Sequence, residues 1–312
     1  MISTNKIHAN SWFIIANPTS GNRNFSKKWK EIQLNLKKQD IDYTSVFTQY
    51  TKHEIKLVQN AIQKGFRNII SVGGDGTLHH VVNGIMLQRY VKTSNITIGV
   101  IPLGTGNDWI KHYNMPNSIK KSIHIIFQKK RVLQDIGLIK TLNNTPTYFN
   151  NVAGIGFDAY VVSTLKKLKK LGKLSYTIAG IYGNIFYKKP ILKIIIDDKE
   201  ITEKSLLTIF GICKYSGGGM QFTEQVDAAD GLLDITVAKN LNFFDVVKSI
   251  HKLYNGTIVH HKKVQTYKTK EITIVPKTLK PFVQADGELI GTGTIKVSII
   301  QRAIQFCIPY FF

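Results

Sequence analysis

Ser71-Val72-Gly73-Gly74-Asp75-Gly76-Thr77-Leu78-His79-His80 is the stretch whose reading decides the fold. It follows Asn68–Val72, an apolar run that reads as a buried strand, and precedes Val81, Val82, Ile85 and Met86 at helical spacing. Three glycines and one carboxylate therefore sit where a strand hands over to a helix. In an open α/β sheet, ligands bind at the carboxyl ends of strands. A helix N-terminus there offers free N–H groups to an anion, and glycine lets a phosphate come close to the backbone. The stretch predicts a nucleotide-phosphate site. It is not a P-loop, because G-x-x-x-x-G-K-[ST] occurs nowhere in the chain.

Outward from it, residues 11–18 read as a first buried strand ending in Asn17-Pro18. A turn at Thr19–Asn22 then opens a lysine-rich helix from about Ser26. A second strand is predicted over 41–48 and a helix over Lys52–Lys64, stopped by Gly65. A fourth strand, Ile96–Ile101, leads into Pro102-Leu103-Gly104-Thr105-Gly106-Asn107-Asp108, and Ser118–Lys130 reads as a helix. Strands alternating with helices imply a mostly parallel sheet. After residue 130 the texture changes. Strand-like runs at Val132–Ile139, Tyr148–Ala153, Ile191–Ile196, Ser205–Ile212, Leu232–Val237, Val264–Val275 and Thr294–Ile300 follow one another with few helices between them. They predict an antiparallel β domain with a helical insertion at 160–187 and a helix near 243–253. The expected domains are thus 1–130 and 131–302, with an apolar segment, 303–312, returning to the first.

The length of 312 residues suits about two domains. Cys213 and Cys307 are far apart in apolar surroundings and read as buried thiols, which points to a reducing compartment. The N-terminal stretch has no signal-peptide pattern, and no run reaches the roughly 18 apolar residues of a membrane span. A cytoplasmic protein, peripheral at the membrane, is expected. The net charge of +22 favours polyanionic neighbours. Lysine dominates over arginine, so the charge is a diffuse field more than a set of bidentate readers. Leu165 to Leu174 sets leucines on one side and lysines on the other, the pattern of a helix lying on an anionic membrane. An ordinary surface helix packed on its own core is the plain alternative. Specific nucleic-acid binding is not expected, since interleaved aromatic and basic motifs are missing.

Four clusters carry chemistry. Gly73–Thr77 and Gly104–Asp108 both end strands of one sheet and together form a phosphate-binding pair. Thr77 and Thr105 bring hydroxyls, and Asn107 and Asp108 can cap the next helix. Gly217-Gly218-Gly219-Met220 needs a backbone that side chains would obstruct. Asp227 and Asp230, with nearby carbonyls, form a candidate hard-cation site, against the simpler reading of an Asp-Gly turn. Asp286-Gly287-Glu288 is either a general base or a hairpin turn. The histidines lack zinc spacing.

Taken in order, these motifs resemble the soluble lipid kinase family that includes bacterial diacylglycerol kinase and sphingosine kinases. The resemblance runs from Asn17-Pro18 and Gly21 through Gly73–Thr77, Pro102–Asp108, Gly154-Ile155-Gly156-Phe157-Asp158-Ala159, Gly217–Met220 and Asp230-Gly231-Leu232-Leu233-Asp234 to Asp286-Gly287-Glu288. It implies an α/β N-terminal domain, phosphofructokinase-like with a mostly parallel sheet, and a C-terminal antiparallel β-sandwich, with ATP between them. It implies ATP contacts at Asn17, Thr48, Gly73, Gly74, Asp75, Gly76, Thr77, Leu78, His79, Gly104, Thr105 and Asn107. It makes Asp286 or Glu288 the base and gives Asp75 an organising role in catalysis. A structural Mg²⁺ would be held by Asp230 and by carbonyls near Asp227 and Leu232.

The implied reaction is ATP-dependent phosphorylation of a lipid hydroxyl, diacylglycerol to phosphatidic acid first, with Mg²⁺ bridging the phosphates and the lipid met at an anionic membrane surface. An exposed β edge in the second domain offers a surface for a homodimer. Two departures stand out. His79-His80 replaces the family's usual Asn-Glu, and Glu224 replaces a common proline. The competing readings are a kinase of another lipid, a kinase of a soluble substrate such as NAD, and a non-catalytic nucleotide- or lipid-sensing protein.

Overall fold

Parallel strands with helices between them begin the chain. The computed structural model describes residues 11–21, 24–142, 146–168, 183, 187–223 and 225–310. The chain divides into two units, one of Met1–Gln134 with Arg302–Phe312 and one of Asp135–Gln301.

In the first unit, β1 (Trp12–Ala16), α1 (Phe25–Lys37), β2 (Tyr43–Phe47), α2 (His53–Gln63), β3 (Asn68–Gly73), α3 (Asp75–Leu87), β4 (Thr97–Pro102), α4 (Asp108–His112) and α5 (Ile119–Phe127) follow in order. The sheet order is β2-β1-β3-β4, all parallel, and Gln305–Phe306 near the end of the chain add a further parallel edge beside Thr97–Ile98. β1 and β3 are buried along their whole length, as a strand covered on both faces requires. One face packs Trp12, Ile14, Ile70 and Val72 against Ile32 and Leu36 of α1 and Ile123 and Ile126 of α5. Gly99 makes room for the Ile126 side chain, which approaches too closely for a Cβ.

The second unit contains β5 (Arg131–Thr141, entered from the first unit), β6 (Thr147–Phe149), β7 (Val152–Gly156), α6 (Phe157–Leu168), β8 (Ile191–Ile196), β9 (Lys199–Lys204), β10 (Leu207–Gly211), β11 (Tyr215–Ser216), β12 (Met220–Gln221), β13 (Leu233–Ala238), α7 (Phe243–Asn255), β14 (Val264–Thr269), β15 (Glu271–Pro276), β16 (Phe282–Ala285), β17 (Glu288–Thr292) and β18 (Ile295–Cys307, which returns to the first unit at Arg302). One antiparallel sheet has the order β14-β13-β10-β7-β16-β17, and a second antiparallel run goes from β18 through β15 and β8 to β9. The architecture is an α/β domain with a mostly parallel sheet followed by an antiparallel β-sandwich.

Two runs that read as single strands are each broken in two. Tyr148–Ala153 is interrupted at Asn150-Asn151, whose backbone N–H groups turn to the Asp286 carboxylate. Val264–Val275 breaks at Lys270, and its halves join different sheets. Both cysteines are free and buried. Most of the predicted insertion at 160–187, including the lysine face of residues 166–173, lies outside the described residues or side chains, as does Glu224. Among the described residues, no helix is long and apolar enough to cross a membrane.

Ile70 is fully buried in the central strand. Ile70→Ala is expected to destabilise the protein by about 2–5 kcal/mol, read from urea unfolding followed by tryptophan fluorescence.

Candidate active site

At the carboxyl edge of the parallel sheet, three strand ends lie side by side. Ala16 is in register with Val72, and Gly73 with Pro102. The turns that follow are packed to backbone contact. The Gly73 carbonyl accepts the Leu103 N–H at 2.7 Å and the Gly104 N–H at 3.3 Å. A Cβ on Gly104 would lie 2.6 Å from the Gly74 Cα, and one on Gly73 would meet the Thr77 side chain at 2.3 Å. Gly21, at φ +68°, presses on the Leu103 carbonyl in the same way. A side chain is thus excluded at Gly21, Gly73 and Gly104, one glycine in each of the three turns.

Asn17 binds this cluster together. Its Nδ2 donates to Thr77 Oγ1 at 3.2 Å and to Glu54 Oε1 at 3.4 Å. The Thr48 N–H donates to the Ala16 carbonyl, which places Thr48 at the same edge. Asp75 reaches from the first turn of α3 to α4, accepting the N–H of Asp108 at 3.1 Å and of Trp109 at 3.4 Å. Its carboxylate caps α4 and ties the two glycine turns together. Asn107, at φ +48°, donates through Nδ2 to the Gly104 carbonyl at 2.8 Å and so shapes its own turn. Gly76 and Leu78 lie in the first turn of α3, and Thr105 lies in the loop before α4.

His79 and His80 are both buried on α3. The Asn83 amide donates to the His79 carbonyl at 2.8 Å. Burial first, then the neighbouring His79 and Lys52, push His80 down to about 4, so its ring is neutral at pH 7. His80 Nδ1 lies 3.6 Å from Glu54 Oε2. Glu54, from the first turn of α2 and only 2% exposed, therefore brings a carboxylate beside the very residue where the sequence lacks one. Sequence reasoning missed Glu54, because it lies on the preceding helix, well before the glycine turn, and belongs to no motif.

The second unit builds a separate cluster around Asp286. The residue is at φ +49° in the turn between β16 and β17. Its Oδ2 accepts the Asn150 N–H at 3.1 Å, and its Oδ1 accepts those of Asn151 and Val152 at 3.0 and 3.2 Å. Asn151 Nδ2 donates to the Tyr215 carbonyl at 2.8 Å, bringing the β11–β12 hairpin to the same place. In that hairpin Gly217, Gly218 and Gly219 all have positive φ. Gln284 fastens the turn from below, accepting the Gly287 N–H and donating to Asp158 Oδ2 at 3.0 Å. Burial raises Asp158 to about 6. Glu288 is half-buried at the start of β17. The Asp-Gly turn is thus a hairpin whose carboxylate also organises two other loops. Asp158, within the quoted Gly154–Ala159 motif, was not singled out as a site residue.

The Asp227–Asp234 loop is held by Asp135, whose carboxylate accepts the Gly231 N–H at 2.7 Å. Asp230 accepts its own loop's Leu232 N–H at 2.9 Å and the Lys268 ammonium at 3.1 Å, and Lys268 also lies 3.5 Å from Asp234. Asp227 accepts the Ala229 N–H at 2.9 Å. Burial raises Asp234 to about 6, against the opposing pull of Lys268. Among the described residues, no group of three or more His, Cys, Asp or Glu side chains is placed to hold a metal ion. In this arrangement the Lys268 ammonium supplies the positive charge between Asp230 and Asp234, beside the carboxylate to which the resemblance gives a Mg²⁺.

The profile of the "Diacylglycerol kinase catalytic domain" matches residues 11–139, and that of the "YegS C-terminal NAD kinase beta sandwich-like domain" matches 151–308. The chain belongs to the diacylglycerol-kinase-like lipid kinase family. It is 29% identical over 307 residues to "Putative lipid kinase YtlR" of Bacillus subtilis, covering 92% of this chain and 96% of that one. It is 27% identical over 298 residues to the diacylglycerol kinase of Staphylococcus haemolyticus, covering 95% and 87%. The crystal structure of a diacylglycerol kinase from Bacillus anthracis superposes with a TM-score of 0.75 at 22% identity, over 98% and 99% of the two chains. That likeness establishes a shared fold. The lipid kinase family's N-terminal profile spans all three glycine-lined turns, and its C-terminal profile spans the Asp286 cluster.

Two outcomes follow. Chelation with EDTA is expected to leave the thermal midpoint unchanged, whereas Lys268→Met lowers it and makes it rise again on addition of Mg²⁺, measured by differential scanning fluorimetry. His80 is held neutral in the fold, while the unfolded chain takes up a proton at its ordinary pKa of about 6.5. The unfolded state therefore binds more protons between about 6.5 and about 4, and His80's share of stability is lost as pH falls through that window. In denaturant titrations His80→Gln flattens this slope.

Proposed function

We propose that this chain is an ATP-dependent lipid kinase that phosphorylates a lipid hydroxyl, with diacylglycerol as acceptor and phosphatidic acid as product. The observation that carries this reading is the set of closely packed glycine turns at the sheet edge in a chain of the lipid kinase family. Backbone N–H groups at the start of a helix, with glycines letting phosphate approach, are what a triphosphate needs. Asn17, Gly73, Gly74, Gly76, Thr77, Leu78, Gly104, Thr105 and Asn107 line or shape those turns and would seat the phosphates, with Thr48 and His79 beside them. Magnesium enters with ATP as part of the substrate, and Asp75 acts by fixing the two turns relative to each other.

Phosphoryl transfer goes through a loose transition state, so the protein contributes mostly position and charge. The acceptor hydroxyl still has to give up its proton. Asp286 and Glu288 are the pair for that step. Three backbone N–H groups already occupy the Asp286 carboxylate and commit it to holding loops together. Glu288 takes the proton in this assignment, and Asp286 holds the turn that positions it. The carboxylate of Glu54 beside His80 favours a working enzyme over a non-catalytic sensor, because the charge that His80 removes is present from another helix.

The test is transfer of label from γ-labelled ATP to diacylglycerol in mixed micelles, run beside NAD. Labelled phosphatidic acid is the expected product; label on NAD alone, or on neither, refutes the reading. Glu288→Gln should lower kcat by about 10²–10⁴-fold with an unchanged thermal midpoint, the range for losing a general base. Asp286→Asn should lower both activity and thermal midpoint. If Glu288→Gln keeps full activity while Asp286→Asn abolishes it without loss of stability, the roles are reversed.

A further inference from the structure

The second unit carries an apolar and basic rim that the site chemistry does not use. The segment Pro276–Phe282 separates two open grooves, one of about 840 Å³ and one of about 280 Å³. Leu279, Lys280 and Phe282 line both. Leu142 also lines the larger groove and is 81% exposed, with Leu279 at 53% and Phe282 at 37%. Single exposed apolar side chains are ordinary. Three on one rim form a patch that marks an interaction surface. Leu279 adds a second sign, because its backbone lies at φ +55°, a conformation that side-chain-bearing residues rarely adopt. The loop holds a leucine out in water at a conformational cost.

The charge around this patch has one sign. Lys277 and Lys280 line the larger groove, and Lys188 and Lys280 line the smaller. Among the described residues, no aspartate or glutamate lines either. Lys189, next in the chain, has its pKa lowered chiefly by burial, then by Lys204 and Lys263, against the opposing pull of Asp245. An anionic leaflet satisfies both halves of this chemistry at once. Its hydrocarbon takes leucine and phenylalanine tips, and its head groups take lysines whose stems lie along the apolar boundary.

We infer that the rim formed by Leu142, Leu279 and Phe282 with Lys188, Lys277 and Lys280 docks the protein on an anionic phospholipid leaflet. This rests on the lipid kinase reading above, and it names the surface through which the enzyme meets the bilayer that holds its acceptor.

The experiment is co-sedimentation of the full chain with vesicles of phosphatidylcholine alone and of phosphatidylcholine mixed with phosphatidylglycerol. Two variants are compared with the parent, Leu142→Ser with Leu279→Ser, and Lys188→Gln with Lys277→Gln and Lys280→Gln. All five positions are on the surface, and matching thermal midpoints establish that the variants are folded. The parent is expected to partition onto the anionic vesicles. The leucine variant should lose at least about tenfold of that partitioning, and the lysine variant should lose its preference for anionic lipid and its salt sensitivity. Parent-like partitioning by both variants, or no partitioning by the parent, overturns the inference. A short-chain diacylglycerol dispersed as monomers separates the two proposals, since both variants should phosphorylate it at the parent rate. A parent that docks through this rim yet phosphorylates no lipid upholds the docking surface and overturns the proposed function instead.

Discussion

The contact between Gly74 and Gly104 is the constraint from which the first unit takes its shape. Two strand-to-helix turns come within a distance that no Cβ tolerates, and the Gly73 carbonyl holds them there by accepting two N–H groups of the neighbouring turn. Strands β3 and β4 must then end level with each other. Asp75 extends the constraint by capping α4, whose Trp109 and Tyr113 both donate to Gln134 at about 3 Å. One carboxylate thus links a phosphate-type turn to the core beneath it.

The second unit follows a comparable rule with different means. There a carboxylate organises backbone. Asp286 draws three N–H groups from the break between β6 and β7, and Asn151 passes the connection to the glycine hairpin. These loops are far apart in sequence, and a single side chain at a strained φ makes them neighbours. Strained positions cluster where function fixes geometry.

The sequence made much of this readable because its signals are local. Gly73–Thr77 announced the strand-to-helix turn, and Asp286-Gly287 announced a hairpin. What escaped was non-local. The break at Asn150-Asn151 is marked only by two turn-favouring asparagines inside an otherwise strand-like run, and what fixes it is remote: Asp286 accepts those N–H groups. Glu54 looked like an ordinary helix residue until α2 packed it beside His80 and Asn17. Lys268 read as one lysine of many until β13 and β14 aligned it with Asp234. In each case the partner lies on another element, and spacing along the chain carries no trace of it.

The first unit is assembled from both ends of the chain. Gln305 and Phe306 pair with the start of β4, and the Phe306 ring packs 4.8 Å from that of Trp109. During synthesis the N-terminal residues emerge first, yet this edge of their sheet stays bare until the entire second unit has left the ribosome. The glycine turns lie at the other end of β4 and are held by contacts within residues 73–109, so the late pairing closes the sheet without building the turns. A chain lacking β18 would leave the start of β4 as an open sheet edge.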